Sequence, residues 1–433
     1  MDADEIACES DPSSGNDISD DESDDQVLEI NPVTEEVLKS VLERLHPQTD
    51  VELFNFDSNK AEELARTTRA VTQRTQNWAV KVQYKILSSG HDDQQNLNLV
   101  LKFLPPDPFD KYYVTDAGFD LREISFYTEV LPDVLQFYKN TLKTSEDIEL
   151  PIPKCLYTSY TAANDGSILK APESLLVVEN LRVQGYTRAN FSDGLDLQET
   201  ECAIKAIAQM HGLFLTYKIK CGVDLKTKYL PFDIKKVTET YQVSVERGWP
   251  HIISFLEHTP CMENELEALR NIREYSQTLI ENMLMPEEPL ATLTHTDFWG
   301  NNLRFKKDCK NSFKCKILDW QMVTYSRPSN DLALLLISSV KTEVRREHHK
   351  HLVNFYYQNL SEVCANYGLN LENELSYGFK DFEEEYKKSQ LLALLLCIGC
   401  IDIALGDPVA EKRLTQVLID LYNDGIINER CSS

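Results

Sequence analysis

The strongest constraint on how this chain can fold lies between Thr294 and Gln321. It reads Thr294-His295-Thr296-Asp297-Phe298-Trp299-Gly300-Asn301-Asn302, then Leu-Arg-Phe-Lys, Lys-Asp-Cys-Lys-Asn-Ser and Phe-Lys-Cys-Lys-Ile-Leu, and closes on Asp319-Trp320-Gln321. Two strand-like runs around a polar turn predict a β-hairpin centred near Cys309-Lys310. In an antiparallel hairpin, positions equidistant from the turn are neighbours. Asn302 and Asp319 therefore meet at the open end, with Asp297 one short loop behind. Two carboxylates and an amide oxygen gathered at one spot suit Mg²⁺ and a transferring phosphate.

The remainder of the 433-residue chain has to position that spot. With 42% hydrophobic residues it is long enough for two cores. The net charge of −26 argues against nucleic acid as a partner, because phosphate backbones require clustered Lys and Arg. Residues 1–30 carry twelve acidic side chains and no Lys, Arg or His. That stretch cannot bury enough apolar surface to order itself and is expected to be a disordered acidic tail. No secretory leader and no membrane span are expected, since Leu391 to Leu405 is too short and is interrupted by Asp402. Eleven cysteines without a regular framework fit free thiols in a reducing cytoplasmic setting. Cys397-Ile-Gly-Cys400 falls in a leucine-rich helical pattern without a second ligand pair, which favours packing over zinc.

Apolar periodicity predicts a helix over 34–45, strands over 78–84 and 96–104, a helix over 121–130 that ends at Leu131-Pro132, and a short strand over 175–178. Helical periods then dominate: 199–217, 237–245, 265–285, 331–340, 344–367 and 382–405. A strand-rich first part and a helix-rich second part imply an α+β, two-lobed enzyme with its ligand in the cleft between lobes. The expected division is an N-lobe over 31–180 and a C-lobe over 181–433.

These stretches together resemble the ecdysteroid-kinase-like family, which is itself similar to choline kinases and aminoglycoside phosphotransferases. The resemblance rests on Leu101-Lys102-Phe-Leu-Pro105, Glu123-Ile-Ser-Phe-Tyr127, Val177-Val-Glu179-Asn-Leu181, Ile207-Ala-Gln-Met-His211, His295-Thr-Asp297-Phe-Trp-Gly-Asn-Asn302, Ile317-Leu-Asp319-Trp-Gln321 and Arg327-Pro-Ser-Asn-Asp331. It implies a protein-kinase-like fold with a small β-rich N-lobe and a larger, mostly helical C-lobe, and an ATP- and Mg²⁺-dependent phosphotransferase acting on the hydroxyl of a small molecule such as an ecdysteroid or another hydroxylated metabolite or xenobiotic. It further implies Asp297 as catalytic base, Asn302 and Asp319 as Mg²⁺ ligands, Lys102 as the lysine on the nucleotide phosphates, Glu123 as its helix partner, and Glu179 to Leu181 as the hinge whose backbone takes the adenine.

One stretch departs from the family pattern. Arg66 to Asn77, where a phosphate-binding loop would lie, contains no glycine, and glycines there let backbone amides approach phosphate. The departure opens an alternative: a pseudokinase serving as a binding module. Other features have structural readings: His211 as a satisfied core histidine, His295 as a loop support, Asp331 as a helix start or loop brace, Trp299 as a packed aromatic, and the Arg345-to-His351 run as a solvated helix face.

Overall fold

Period-two alternation builds a five-stranded antiparallel sheet at one end of the molecule. The computed structural model describes residues 31–61, 75–87, 94–162, 173–308 and 312–427. The acidic segment 1–30, most of the glycine-free stretch and the Cys309-Lys310 turn lie outside these residues. Strands β1 (Val51–Lys60), β2 (Gln76–Ile86), β3 (Gln94–Phe103), β4 (Cys155–Thr161) and β5 (Glu173–Glu179) pair in the order β1-β2-β3-β5-β4. Helix α1 (Glu35–Leu45) starts at Thr34, whose side chain accepts from Val37 N, and it buries Leu38, Val41 and Leu42. These residues join Trp78, Val80, Val82, Leu99, Leu101 and Val177 in a small core of their own.

Between β3 and β4 the chain forms α2 (Pro108–Asp116), α3 (Phe119–Ser125), one wide turn of π-helix (Phe126–Val130) and α4 (Leu131–Leu142). The helix expected to stop at Leu131-Pro132 thus continues. Pro132 stands directly after the wide turn, in the first turn of α4, and the widening accommodates its ring and absorbs the change of register. Packing cuts across chain order here, because Phe119, Phe126, Val130 and Val134 belong to the large core rather than the small one.

The second lobe comprises β6 (Thr187–Arg188), α5 (Leu197–Cys221), α6 (Leu225–Lys228), α7 (Ile234–Glu257), α8 (Glu263–Arg273), α9 (Ser276–Leu284), β7 (Thr292–Thr294), β8 (Leu303–Lys307), β9 (Phe313–Ile317), β10 (Thr324–Ser326), α10 (Pro328–Ser338), α11 (Thr342–Asn366), α12 (Leu371–Leu375), α13 (Phe379–Gly399) and α14 (Pro408–Asn423). The layout is the two-lobed, protein-kinase-like α+β architecture. The periodic segment 265–285 is two helices, broken at Glu274–Tyr275, where the Ser276 hydroxyl turns back to the Arg273 carbonyl (3.0 Å). Helix α13 ends at Gly399 rather than running to Leu405. There α7 and α13 cross in close contact: a side chain on Gly248 would overlap the Ile398 carbonyl oxygen, and one on Gly399 would press on Ser244 and Val245 at 3.3–3.4 Å. The run from Arg345 to His351 is more occupied than a solvated face. Arg345 is buried against Asp420 (2.6 Å), and His349 bonds Tyr386 (3.2 Å). No helix among the described residues is long and apolar enough to cross a membrane, and the eight described cysteines are free.

Candidate active site

The hairpin forms as the sequence expects. Strands β8 and β9 pair Leu303 with Ile317, and Leu318 N donates to Asn302 O at 2.8 Å, so Asn302 and Asp319 flank the open end. Two residues beside it hold left-handed backbone, Thr296 (φ 66°) and Asp319 (φ 63°). Asp tolerates that region, whereas β-branched Thr pays for it in strain. Three hydrogen bonds keep Thr296 there: its N–H donates to Asp331 Oδ1 (2.8 Å), its carbonyl accepts from the Tyr241 hydroxyl (2.7 Å), and its hydroxyl meets that of Thr294 (2.9 Å).

Asp331, fully buried at the start of α10, is therefore a brace for this loop. Its Oδ2 also accepts from His295 N (2.7 Å) and lies 3.0 Å from His211 Nε2. His211 completes its own bonding through Nδ1 to the Tyr356 hydroxyl (2.7 Å), as a satisfied core histidine should. His295 accepts from Asp297 N at Nδ1 (3.2 Å) and so donates from Nε2 to the Leu318 carbonyl (2.8 Å), tying the loop to the hairpin. Burial holds its pKa below the ordinary histidine value, which keeps it neutral in this role.

Asp297 lies at the loop's tip, 8% exposed. The Asn302 side-chain nitrogen donates both to its backbone carbonyl and to its Oδ2, each at 2.9 Å. Burial, reinforced by the nearby Asp319 carboxylate, pushes the Asp297 pKa up to about 7 against the pull of the Asn302 bond. A carboxyl poised there can accept a proton at neutral pH. Trp299 packs edge-on against Phe191 (6.1 Å) as a buried aromatic.

Lys102 reaches this centre from β3 of the small lobe. Its Nζ lies 2.6 Å from Glu123 Oε2 on α3 and 2.8 Å from Asp319 Oδ1. Burial works against its charge, but the two carboxylates outweigh burial and hold its pKa above the usual lysine value. Burial pushes Glu123 the other way, upward, opposed by Lys102. Its second oxygen accepts from Trp320 N (3.2 Å). Trp320, fully buried, stacks on Phe126 (4.1 Å between centroids) and meets His295 edge-on (4.8 Å). Through its backbone N–H and its ring, Trp320 links α3 and the wide turn after it to the loop of Asp297, and nothing in local sequence pattern marks it for that task.

Glu179 ends β5 at the connector between lobes. Its side chain accepts from Lys154 N (3.0 Å) and Gln184 Nε2 (2.7 Å). Leu181 is buried, and its carbonyl accepts from Gln184 N and Tyr186 N (3.1 Å each). The structure thus brings Asp297, Asn302, Asp319, Lys102 and Glu123 together, with Glu179 at the end of β5 and Leu181 on the turn that follows it.

The donors fit Mg²⁺. Both Asn302 N–H bonds run to Asp297, which leaves its Oδ1 as the free end, and Asp319 offers a second hard oxygen. Mg²⁺ takes one or two such protein ligands and completes its shell with phosphate and water. The described residues contain no larger cluster of His, Cys, Asp or Glu for a metal.

The pattern of the ecdysteroid kinase-like family matches residues 76–369, about two-thirds of the chain. No curated protein matches. Among solved structures, a choline kinase from Cryptosporidium parvum Iowa II is similar at 12% identity, covering 91% of this chain and 98% of that one, with a TM-score of 0.42. Amicoumacin kinase hAmiN in complex with AMP-PNP, Ca²⁺ and Ami is similar at 12% identity over 90% and 94%, TM-score 0.42. Plasmodium vivax ethanolamine kinase is similar at 8% identity over 86% and 83%, TM-score 0.41.

Proposed function

The chain belongs to the ecdysteroid kinase-like family, and from that premise we propose that it transfers the γ-phosphate of ATP to a hydroxyl of a small molecule. The observation that carries this reading is the convergence of Asp297, Asn302 and Asp319 with a lysine delivered from the other lobe. Phosphoryl transfer demands little covalent chemistry of a protein; it demands positioning and charge neutralisation. Asp297 takes the hydroxyl proton as the acceptor oxygen bonds to the γ-phosphorus and the bond to the ADP oxygen breaks. Asn302 holds the Asp297 carboxylate in place. Asp319 and Asn302 Oδ1 would hold Mg²⁺, which when bound neutralises phosphate charge. Lys102, steadied by Glu123, would turn from Asp319 to the α- and β-phosphates. The backbone of Glu179 to Leu181 lines the edge where adenine would lie. A hydroxylated metabolite of the ecdysteroid type is the acceptor class that the family name suggests, and a cytoplasmic setting suits both ATP and the free thiols.

The test is a screen of alcohols with ATP·Mg²⁺ and detection of the phosphorylated product by mass spectrometry. Turnover by wild type and none by Asp297→Asn supports the proposal. Calorimetric titration with ATP·Mg²⁺ separates it from a binding module: metal-dependent affinity should vanish in Asp319→Ala, and the absence of nucleotide binding in wild type would count against a kinase.

A further inference from the structure

A row of cations crosses the hairpin sheet of the large lobe. Arg188 on β6 pairs in register with Arg304 on β8, and Arg304 with Lys316 on β9. Leu303, Phe305, Cys315 and Ile317 fill the core from the alternate positions, so the three cations share the other face. Lys316 Nζ donates to the carbonyls of Leu150 (2.7 Å) and Ile152 (3.0 Å) on the segment entering β4, and it feels the charge of Glu179 at the end of β5. Arg304 stands two residues past Asn302 on β8, and Lys316, opposite it, three residues before Asp319. The row therefore spans the ground between the hinge and the metal-binding pair.

Like charges placed directly opposite across strands destabilise a sheet. Lys316 is spent on carbonyls. Arg304 gives Nη1 to the carbonyls of Asn301 and Leu303 (2.8 Å each), and among the described residues no carboxylate forms an ion pair with it. Its other nitrogens keep the planar fork that suits phosphate oxygens. The geometry points to Arg304, with Arg188, as an anion subsite on the cleft floor that takes the α- and β-phosphate oxygens of a nucleoside di- or triphosphate. This rests on the nucleotide reading above and gives the polyphosphate a cradle from the large lobe.

The test titrates the full chain calorimetrically with ADP, adenosine and tripolyphosphate. Arg304→Met should weaken ADP and tripolyphosphate about ten-fold and leave adenosine unchanged, and Arg188→Met, at an exposed position where folding is safe, should weaken them about three-fold. Arg188→Glu should weaken them further. Wild type that binds ADP while all three variants match it would overturn the subsite and leave the kinase reading standing. Equal loss of ADP and adenosine in Arg304→Met would overturn it too, because the arginine would then serve only to cap the loop carbonyls. Arginine-dependent tripolyphosphate binding without adenosine or ATP binding would keep the anion subsite and defeat the nucleotide reading.

Discussion

The two walls of the cleft are built on different principles. On the large-lobe wall, the loop from Thr294 to Asn302 is pinned by a set of directional hydrogen bonds: two N–H groups and a histidine on Asp331, a tyrosine hydroxyl on Thr296, an amide on Asp297. On the small-lobe wall, one rotatable ammonium, that of Lys102, is held by two charge-assisted hydrogen bonds to Glu123 and Asp319. Directional bonds fix a geometry before any ligand arrives. A flexible lysine between two carboxylates can exchange one of them for a phosphate, so that wall is suited to change on binding.

Four substitutions sharpen or break this contrast. The largest effect is expected of Asp297→Asn, which should lower turnover about 10³-fold while the protein remains folded. In wild type, kcat/KM should climb through a single ionisation on the acid side near pH 7, following the raised Asp297 carboxyl; a profile flat from pH 5 to 9 would remove the base assignment. Asp331→Ala should cost about 3 kcal/mol in urea unfolding, because it leaves two buried N–H groups and a histidine without their acceptor. A loss below about 1 kcal/mol would break the contrast from the large-lobe side. Lys102→Met should weaken ATP binding about ten-fold. It should also make stability decline as pH rises above the ordinary carboxylate range, since Glu123, whose pKa burial already pushes upward, would then ionise without its countercharge. The smallest effect is on stability in Asp297→Ala. The fold pays to ionise a carboxyl whose pKa is raised from 3.8 to about 7, and that penalty grows through this window and is complete above it. Removing the carboxyl should therefore stabilise by about 1 kcal/mol at pH 8 and by less at pH 5.

What could be read in advance follows the range of the interactions. The meeting of Asn302 and Asp319 was legible because hairpin symmetry is local and only spacing is needed to see it. The strand carrying Lys102 declared itself by alternation, yet its pairing with Glu123 entered only through family resemblance. The Asp331 brace was half visible, as a loop support whose partners had no names. Tyr241 and the Trp320 stack were invisible, for their contacts join segments far apart in sequence. The helix through Pro132 misled because a proline breaks an α-helix but not one that has just widened by a residue. Strands β1 and β4 and helix α14 were missed, since short or weakly patterned segments take their form from the neighbours they pack on.

The crossing of α7 and α13 at Gly248 and Gly399 has a consequence for how such a pocket diversifies. Tyr241, which steadies Thr296, rides on one of these helices, and Cys400, at the end of the other, lies within the field of Asp297. Because main chain rests on main chain there, no rotamer change or conservative swap can widen or narrow the gauge between the two rods. New acceptors would have to be met by exchanging the side chains that line the far flank of Asp297, with the frame behind them left as rigid as a vice.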